Sequence, residues 1–277
     1  MQLSLGFSPC PNDTFIFDAM VNGKVDTEGL IFNYQMEDVE TLNLRAFNNE
    51  LDITKLSFHA FSYLTQTYTL LDSGSALGWN CGPLLISKQN FELGSIHEKK
   101  IGIPGKYTTA NFLFMSEFAN VKIVESMPFN EIEDQLLTGS IDAGVIIHEN
   151  RFTYKEKGLY KLLDLGHAWQ KKTGHPIPLG GIAIKKNIPN VIANKVNRIV
   201  KRSVQFAMQN TASSEGFVAA NAQELDLKVI NDHIGLYVNE YTVSLGKSGL
   251  DAIKYMLSIA KQMRLIKGYK NQFFISN

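Results

Sequence analysis

The chain has 277 residues, of which 44% are hydrophobic, and its 27 basic side chains balance its 27 acidic ones. This length allows one large or two medium domains. The basic residues are scattered, so nothing predicts the positive stripe of a nucleic-acid-binding protein. Two cysteines cannot build a disulfide framework, and there is no CxxC pair for a metal. A reduced, cytoplasmic setting is therefore expected.

The opening segment, MQLSLGFSPC, alternates like a β-strand instead of pairing a basic stretch with an apolar one. No apolar run approaches the ~20 residues that a bilayer-spanning helix needs. We therefore expect neither a secretory signal nor a membrane span.

The first third of the chain alternates predicted strands with predicted helices. The strands are expected at 3–7, 30–35 and 51–56, and the helices at 15–23, 38–50 and 57–65. Asp38 and Ser57 stand at the N-cap positions of the second and third helices. This alternation predicts a mostly parallel sheet that is covered by helices on both faces.

From residue 70 onward, glycine-rich loops and apolar strands dominate. Strands are expected at 83–87, at the start of 99–118, at the start of 121–149, at 143–147 and at 177–186. A loop is expected at 168–174. The rest of the chain is expected to be mainly helical, with helices at 190–210, 214–223, 227–238 and 249–266. The strands 83–87 and 177–186 both have glycines beside them, and we interpret them as crossovers between two lobes. The first lobe would comprise residues 1–90 and 182–277, and the inserted second lobe residues 91–181.

Two α/β lobes joined by two crossover strands form the architecture of the type II periplasmic-binding-protein-like fold. Ligands in such folds are expected between the lobes, outside the carboxyl ends of the strands. The loops at the strand ends are therefore the places to search for chemistry.

Two of these loops belong to the predicted first lobe. In SPCPNDT, the prolines stiffen the turn, and Asn12, Asp13 and Thr14 can cap the next helix or present polar groups to a ligand. In TKLSFHA, Lys55 precedes Ser57, whose position at a helix N-terminus suits an anion, although plain capping is the better explanation of Ser57 taken by itself.

Two further loops belong to the predicted second lobe. In PGKYTTANF, Thr108 and Thr109 supply hydroxyls, and the amide of Ala110 is an unpaired donor of the first helical turn, so this is a second anion-binding terminus. In DAGVIIHEN, His148 follows a buried type of strand, and its ordinary pKa of about 6.5 lets it accept a proton near neutrality. A structural role for a lone histidine remains the alternative.

The quoted segments together resemble one enzyme family. SPCPNDTFIF, EDVETLN at 37–43, TKLSFHAF, TTANFL and above all GVIIHENRFTY at 144–154 are similar to 1,4-dihydroxy-6-naphthoate synthases, the lyases that cleave cyclic dehypoxanthine futalosine on the futalosine route to menaquinone. PLGGIAI at 178–184 and YVNEYTVSLG at 237–246 fit as well. The resemblance extends over nearly the whole chain.

The resemblance implies a carbon–carbon lyase without a metal or redox cofactor. It implies that His148 accepts a proton, and that Lys55, Leu56 and Ser57 together with Thr108 and Thr109 contact a small carboxylate substrate. No nucleic acid partner is implied, and the sequence leaves the oligomeric state open.

Two alternatives share the fold. One is chorismate dehydratase, which belongs to the same pathway and should lack the IIHE..FTY segment. The other is a small-carboxylate-binding protein without chemistry, against which the strand-like N-terminus argues.

Overall fold

The computed structural model describes residues 1–222 and 226–275. The chain divides into two compact units, Met1–Gly78 with Pro178–Asn277, and Trp79–Ile177. The chain thus passes between the units near residues 78 and 177, whereas the sequence-based boundaries were placed after 90 and 181. The difference at the first boundary arises because the strand predicted at 83–87 pairs within the second unit and does not cross between units.

The first unit contains a six-stranded sheet. Five of its strands have the order β2-β1-β3-β11-β4, and the sixth, β5, pairs with β11 outside this order. Its strands are β1 (Gln2–Phe7), β2 (Ile31–Met36), β3 (Ile53–Ser57), β4 (Tyr68–Leu70), β5 (Ala76–Gly78) and β11 (Ile177–Lys185). Strand β1 is parallel to β2 and β3, and β11 is antiparallel to β3 and β4.

The helices of the first unit are α1 (Pro11–Val21), α2 (Val39–Phe47), α3 (Phe58–Leu64), α8 (Asn190–Gln209), α9 (Glu215–Asn221), α10 (Leu227–Tyr237), α11 (Glu240–Val243) and α12 (Gly246–Gln262), with a 3-10 turn at Thr211–Ser214. Helix α2 begins as predicted, because Asp38 Oδ1 accepts the backbone N–H groups of Glu40 at 2.9 Å and Thr41 at 3.1 Å. These two bonds supply an acceptor for two of the backbone N–H groups that lack a partner at a helix start.

Periodicity explains the main core of the first unit. Alternate residues of β1, from Leu3 to Phe7, are buried, and α8 buries positions three and four apart, such as Val196, Ile199 and Val200. Both surfaces pack with α1 in one hydrophobic cluster. Full burial of each such side chain contributes about 1.5–3 kcal/mol.

The second unit contains a five-stranded sheet with the order β10-β6-β9-β7-β8. Its strands are β6 (Leu84–Ser87), β7 (Lys100–Ile103), β8 (Ile123–Ser126), β9 (Ala143–Ile146) and β10 (Tyr160–Asp164); its helices are α4 (Thr109–Glu117), α5 (Ile132–Thr138), α6 (Asn150–Thr153) and α7 (Leu165–Thr173), with 3-10 turns at Leu93–Glu98 and Phe129–Glu131. Strand β7 is parallel to β8 and β9, and β6 is antiparallel to β9.

Helix α5 packs closely on β9 in the core of the second unit. A Cβ atom on Gly144 would lie 2.4 Å from Cγ2 of Ile132, so only glycine allows this approach of helix and strand. Ile132 and Leu136 are fully buried and belong to the same hydrophobic cluster as Ile146. Because β9 leads directly into the histidine of the IIHE segment, this packing fixes the strand that carries it.

Several sequence-based boundaries differ from the structure, among them the following three. Helix α1 begins at Pro11 and not at residue 15, because proline is favoured at the first helical position. The predicted loop at 168–174 was wrong, since α7 covers most of it. The helix predicted at 214–223 ends at Asn221, and residue 223 lies outside the described residues.

Among the described residues, no helix is long and apolar enough to cross a membrane.

Candidate functional site

Two predicted loops meet at one edge of the first sheet. Strands β1 and β3 are parallel neighbours, so their carboxyl ends lie at the same edge. The chain after β1 supplies Ser8 and Asp13, and the end of β3 supplies Lys55 and Ser57. The register of the sheet therefore brings these two loops to the same edge.

The centre of this edge is a buried ion pair between Lys55 and Asp13. The Lys55 Nζ lies 2.6 Å from Asp13 Oδ1, and the side chains are 6% and 1% exposed. Asp13 also accepts from the Ser8 backbone N–H at 3.1 Å and the Ser8 hydroxyl at 2.8 Å. The Asn12 amide donates to it at 2.8 Å. Four donors occupy the lone-pair directions of a carboxylate, so Asp13 is used internally and orients Lys55 and Asn12.

Thr14 is also used internally. Its hydroxyl lies 3.1 Å from the carbonyl oxygen of Cys10 and 3.2 Å from that of Pro11, and the side chain is fully buried. Its hydroxyl therefore donates to the first turn of α1. Asn12, Asp13 and Thr14 are all predicted ligand contacts. Asn12 is the most exposed of the three, at 8%.

Ser57 occupies the N-cap position of α3, but its hydroxyl does not cap the helix. The Asn43 side chain holds Ser57 instead: its Oδ1 accepts the Ser57 backbone N–H at 3.0 Å, and its Nδ2 donates to the Ser57 hydroxyl oxygen at 3.2 Å. Since the hydroxyl oxygen acts as an acceptor in this bond, its hydrogen is directed elsewhere. Leu56, the residue before it, is buried.

The second sheet also gathers predicted residues at one edge. Strands β7, β8 and β9 run in the same direction, so the segments after them share an edge. The Thr108 hydroxyl donates to the Gly105 carbonyl at 2.8 Å and accepts the Asn111 backbone N–H at 3.2 Å, so Thr108 is the N-cap of α4. Thr109 and Ala110 are the first two residues of this helix, where amides lack intrahelical acceptors.

His148 follows β9 by two residues and adopts a left-handed backbone conformation, with a φ of 56°. Non-glycine residues pay of order 1–3 kcal/mol for such a conformation, and they concentrate at functional sites. The imidazole packs edge-on against Phe129, with ring centroids 4.9 Å apart and planes at 66°. His148 is partly exposed, whereas Glu149 is buried.

Arg151 stabilises the segment that precedes β6. Its guanidinium donates to the carbonyl oxygens of Gly82 and Asn80, the latter at 2.9 Å, and pairs with Asp164 at 3.1 Å. Asp164 in turn accepts the backbone N–H of His167 at 2.9 Å and caps α7. The Arg151 guanidinium is thus used in contacts within the second unit.

Four polar residues that hold the predicted ones in place were not predicted from the sequence: Ser8, Asn43, Glu133 and Asn150. Asn43 and Glu133 have partners 14 and 17 positions away, and no local pattern distinguishes them from surface residues. A signal was available for Ser8, Asn43 and Asn150, because they lie in segments that carry the family resemblance.

Relatives at high coverage place the chain among known enzymes. A protein of Thermus thermophilus named 1,4-dihydroxy-6-naphthoate synthase is 36% identical over 273 residues, which is 99% of each chain. A protein of Streptomyces coelicolor with the same name is 37% identical over 269 residues, covering 95% of this chain and 94% of its own length.

Solved structures agree with the fold. Protein AF1704 from Archaeoglobus fulgidus superposes with a TM-score of 0.91 at 33% identity, covering 96% of this chain and 98% of its own. Candida albicans CA3427, described as having the generic periplasmic binding protein structural fold, superposes with a TM-score of 0.69 at 13% identity over 100% and 98% of the two chains. The predicted periplasmic-binding-protein-like α/β fold is thereby confirmed. The menaquinone biosynthesis family matches residues 3–262, and the chain belongs to that family.

Proposed function

We propose that this chain is a lyase that converts cyclic dehypoxanthine futalosine to 1,4-dihydroxy-6-naphthoate, with His148 as the proton acceptor. Both curated relatives bear the synthase name, and they cover nearly the whole chain. The observation that carries the assignment of the base is the position of His148: it is partly exposed, directly after a buried strand, in a left-handed conformation.

In the proposed reaction, an imidazole nitrogen of His148 takes a proton from the substrate, and carbon–carbon cleavage follows. The sugar-derived fragment leaves, and the remaining ring system becomes the aromatic naphthoate. Aromatisation supplies driving force, so the protein mainly has to position the substrate and remove the proton. A well-placed general base contributes about 10²–10⁴-fold to the rate.

An anionic group of the substrate is assigned to backbone donors of the second unit. The first turn of α4, at Thr109 and Ala110, favours negative charge, because its amides point out of the helix and the helix dipole is positive there. The Thr108 hydroxyl contributes by holding this turn, since both of its hydrogen-bonding roles are occupied. The assignment of Lys55, Leu56 and Ser57 to the same substrate stays a prediction.

The test is to incubate the purified protein with the cyclic substrate and to follow naphthoate by its absorbance. We expect turnover by the unaltered chain, and a fall of kcat by about 10²-fold or more in His148→Asn with KM nearly unchanged. His97→Asn is the matched control, because His97 is exposed in a 3-10 turn. It should retain full activity.

Three outcomes would contradict the proposal. Saturable binding without product would indicate a carboxylate-binding protein, and turnover of chorismate would indicate the dehydratase. Normal turnover by His148→Asn would leave the reaction in place but remove the base assignment.

A further inference from the structure

The turn that carries His148 is contacted twice by one continuous helical segment, residues 129–138. This segment consists of the 3-10 turn Phe129–Glu131 and helix α5, which follows it directly. Phe129 packs its ring edge-on against the imidazole of His148. Four residues later, Glu133 Oε2 accepts the side-chain amide of Asn150 at 2.5 Å. Both contacts therefore come from one continuous segment.

The Glu133 carboxylate is nearly inaccessible, with 1% of the side chain exposed. Lys157 supplies the counter-charge at 2.7 Å, also on Oε2. The other oxygen, Oε1, has no hydrogen-bond partner among the described residues. Burial of a carboxylate with half of its acceptor capacity unused is costly. An apolar side chain at this position would leave no buried acceptor without a hydrogen bond. Packing therefore does not explain why a carboxylate is present here.

Asn150 provides that explanation. It is the first residue of α6 and lies two positions after His148. A charge-assisted bond from Glu133 to its amide is stronger and shorter than a neutral one. This bond joins the end of the strained turn to α5, while α5 itself is fixed to β9 through the close contact of Ile132 with Gly144. The backbone on both sides of His148 is therefore attached to the same rigid group of elements.

We infer that Glu133 is a positioning residue that acts through Asn150 and, together with Phe129, holds the His148 ring in its working orientation. This inference rests on the proposed function, because it assumes that His148 accepts the proton. The role does not require contact between Glu133 and the substrate. A misplacement of about 1 Å at a reacting group can cost ~10²-fold in rate, so loss of this support should be visible in turnover.

The test compares kcat, KM and the thermal midpoint of single variants of the full chain. Asn150→Ala removes the donor and should lower kcat by roughly 10-fold or more, with KM changed by less than about twofold. Glu133→Gln keeps an acceptor oxygen and should retain more activity than Glu133→Leu, which removes it. Because Glu133→Leu could unfold the unit, the result for Asn150→Ala decides.

Two controls separate positioning from stability. Lys157→Met removes the counter-charge but leaves the bond to Asn150, so it should lower the thermal midpoint and keep kcat. Asp134→Asn changes the exposed neighbour of Glu133 on the same helix and should alter neither quantity. If Asn150→Ala lowers the midpoint while kcat of the folded protein is unchanged, the role is structural and the inference is wrong.

The inference and the proposed function fail in different ways. An inactive His148→Asn combined with a fully active Asn150→Ala would refute the positioning role and leave the base assignment intact. An active His148→Asn would refute the base assignment itself. A chain without turnover of the cyclic substrate would refute the proposed function.

Discussion

Replacement of Asp13 by asparagine tests whether this carboxylate is an internal anchor of the first unit. It accepts four donors at 2.6–3.1 Å, two from Ser8 and one each from Asn12 and Lys55. An asparagine would keep one acceptor oxygen and turn an NH₂ group toward donors. It would also leave the ammonium of Lys55 buried without its counter-ion. Removal of one partner of a buried pair costs about 3–5 kcal/mol.

The assay is thermal unfolding of the purified chain. At about 2–4 °C per kcal/mol for a protein of this size, Asp13→Asn should lower the midpoint by roughly 6–20 °C. Asp251→Asn is the matched control, because Asp251 pairs with Lys247 on the exposed side of α12. An exposed pair of this kind is worth about 0.3–0.5 kcal/mol, so the control should move the midpoint by at most about 2 °C.

The double variant Asp13→Asn, Lys55→Met separates the ion pair from its surroundings. If the cost arises from the unpaired ammonium, the double variant should be less destabilised than the sum of the two single variants by about 1–3 kcal/mol. Strict additivity, or a single-variant loss below about 1 kcal/mol, would refute the anchor role and restore Asp13 as a candidate ligand contact.

Two further predictions concern stability. Phe273 follows α12, is fully buried, and has its ring 6.0 Å from that of Phe61; Phe273→Ala should therefore cost about 3–5 kcal/mol in urea unfolding, and an unchanged midpoint would show that this segment does not contribute to the fold. Burial raises the pKa of Asp52, but hydrogen bonds from Ser4 and the charge of Lys185 outweigh it, so that the pKa lies below its usual value. The carboxylate thus contributes stability that is complete above the unfolded-state pKa of about 3.9 and is lost as the pH falls through the lower folded-state pKa. Asp52→Asn should lower the midpoint at neutral pH, and its difference from the unaltered chain should shrink below about pH 4; a difference that is constant with pH would contradict this linkage.

Local signals explain which parts of the fold could be predicted. The cap at Asp38 and the alternation in β1 depend on residues within a few positions, so the sequence contains them directly. Helix α7 has a local cap at Asp164 but depends on tertiary interactions as well. Asp164 pairs with Arg151, and the central Trp169 is buried in the unit. These tertiary interactions override weak local preference.

The residues of the candidate site also differ in whether a local sequence pattern predicts them. His148 could be predicted because a buried strand ends just before it, and that pattern is continuous in sequence. Glu133 and Asn150, which support the turn of His148, could not be predicted from such a pattern. They are 17 positions apart, and their contact depends on the packing of α5 on β9. Asp13 and Lys55, which are 42 positions apart, were both predicted as ligand contacts, but their bond to each other depends on the register of β1 and β3.

Internal hydrogen bonding decides which predicted residues can still contact a substrate. Asp13 and Thr14 use their side chains within the first unit, so their substitution should change stability before it changes KM. Ser57 differs, because Asn43 donates to its oxygen and leaves its hydrogen for an acceptor such as a carboxylate or a sugar hydroxyl. A buried donor built for such a partner discriminates strongly against ligands that lack it. Ser57 and Lys55 therefore stay the predicted substrate contacts of the first unit, and Asn43 and Asp13 are the residues that hydrogen-bond to them.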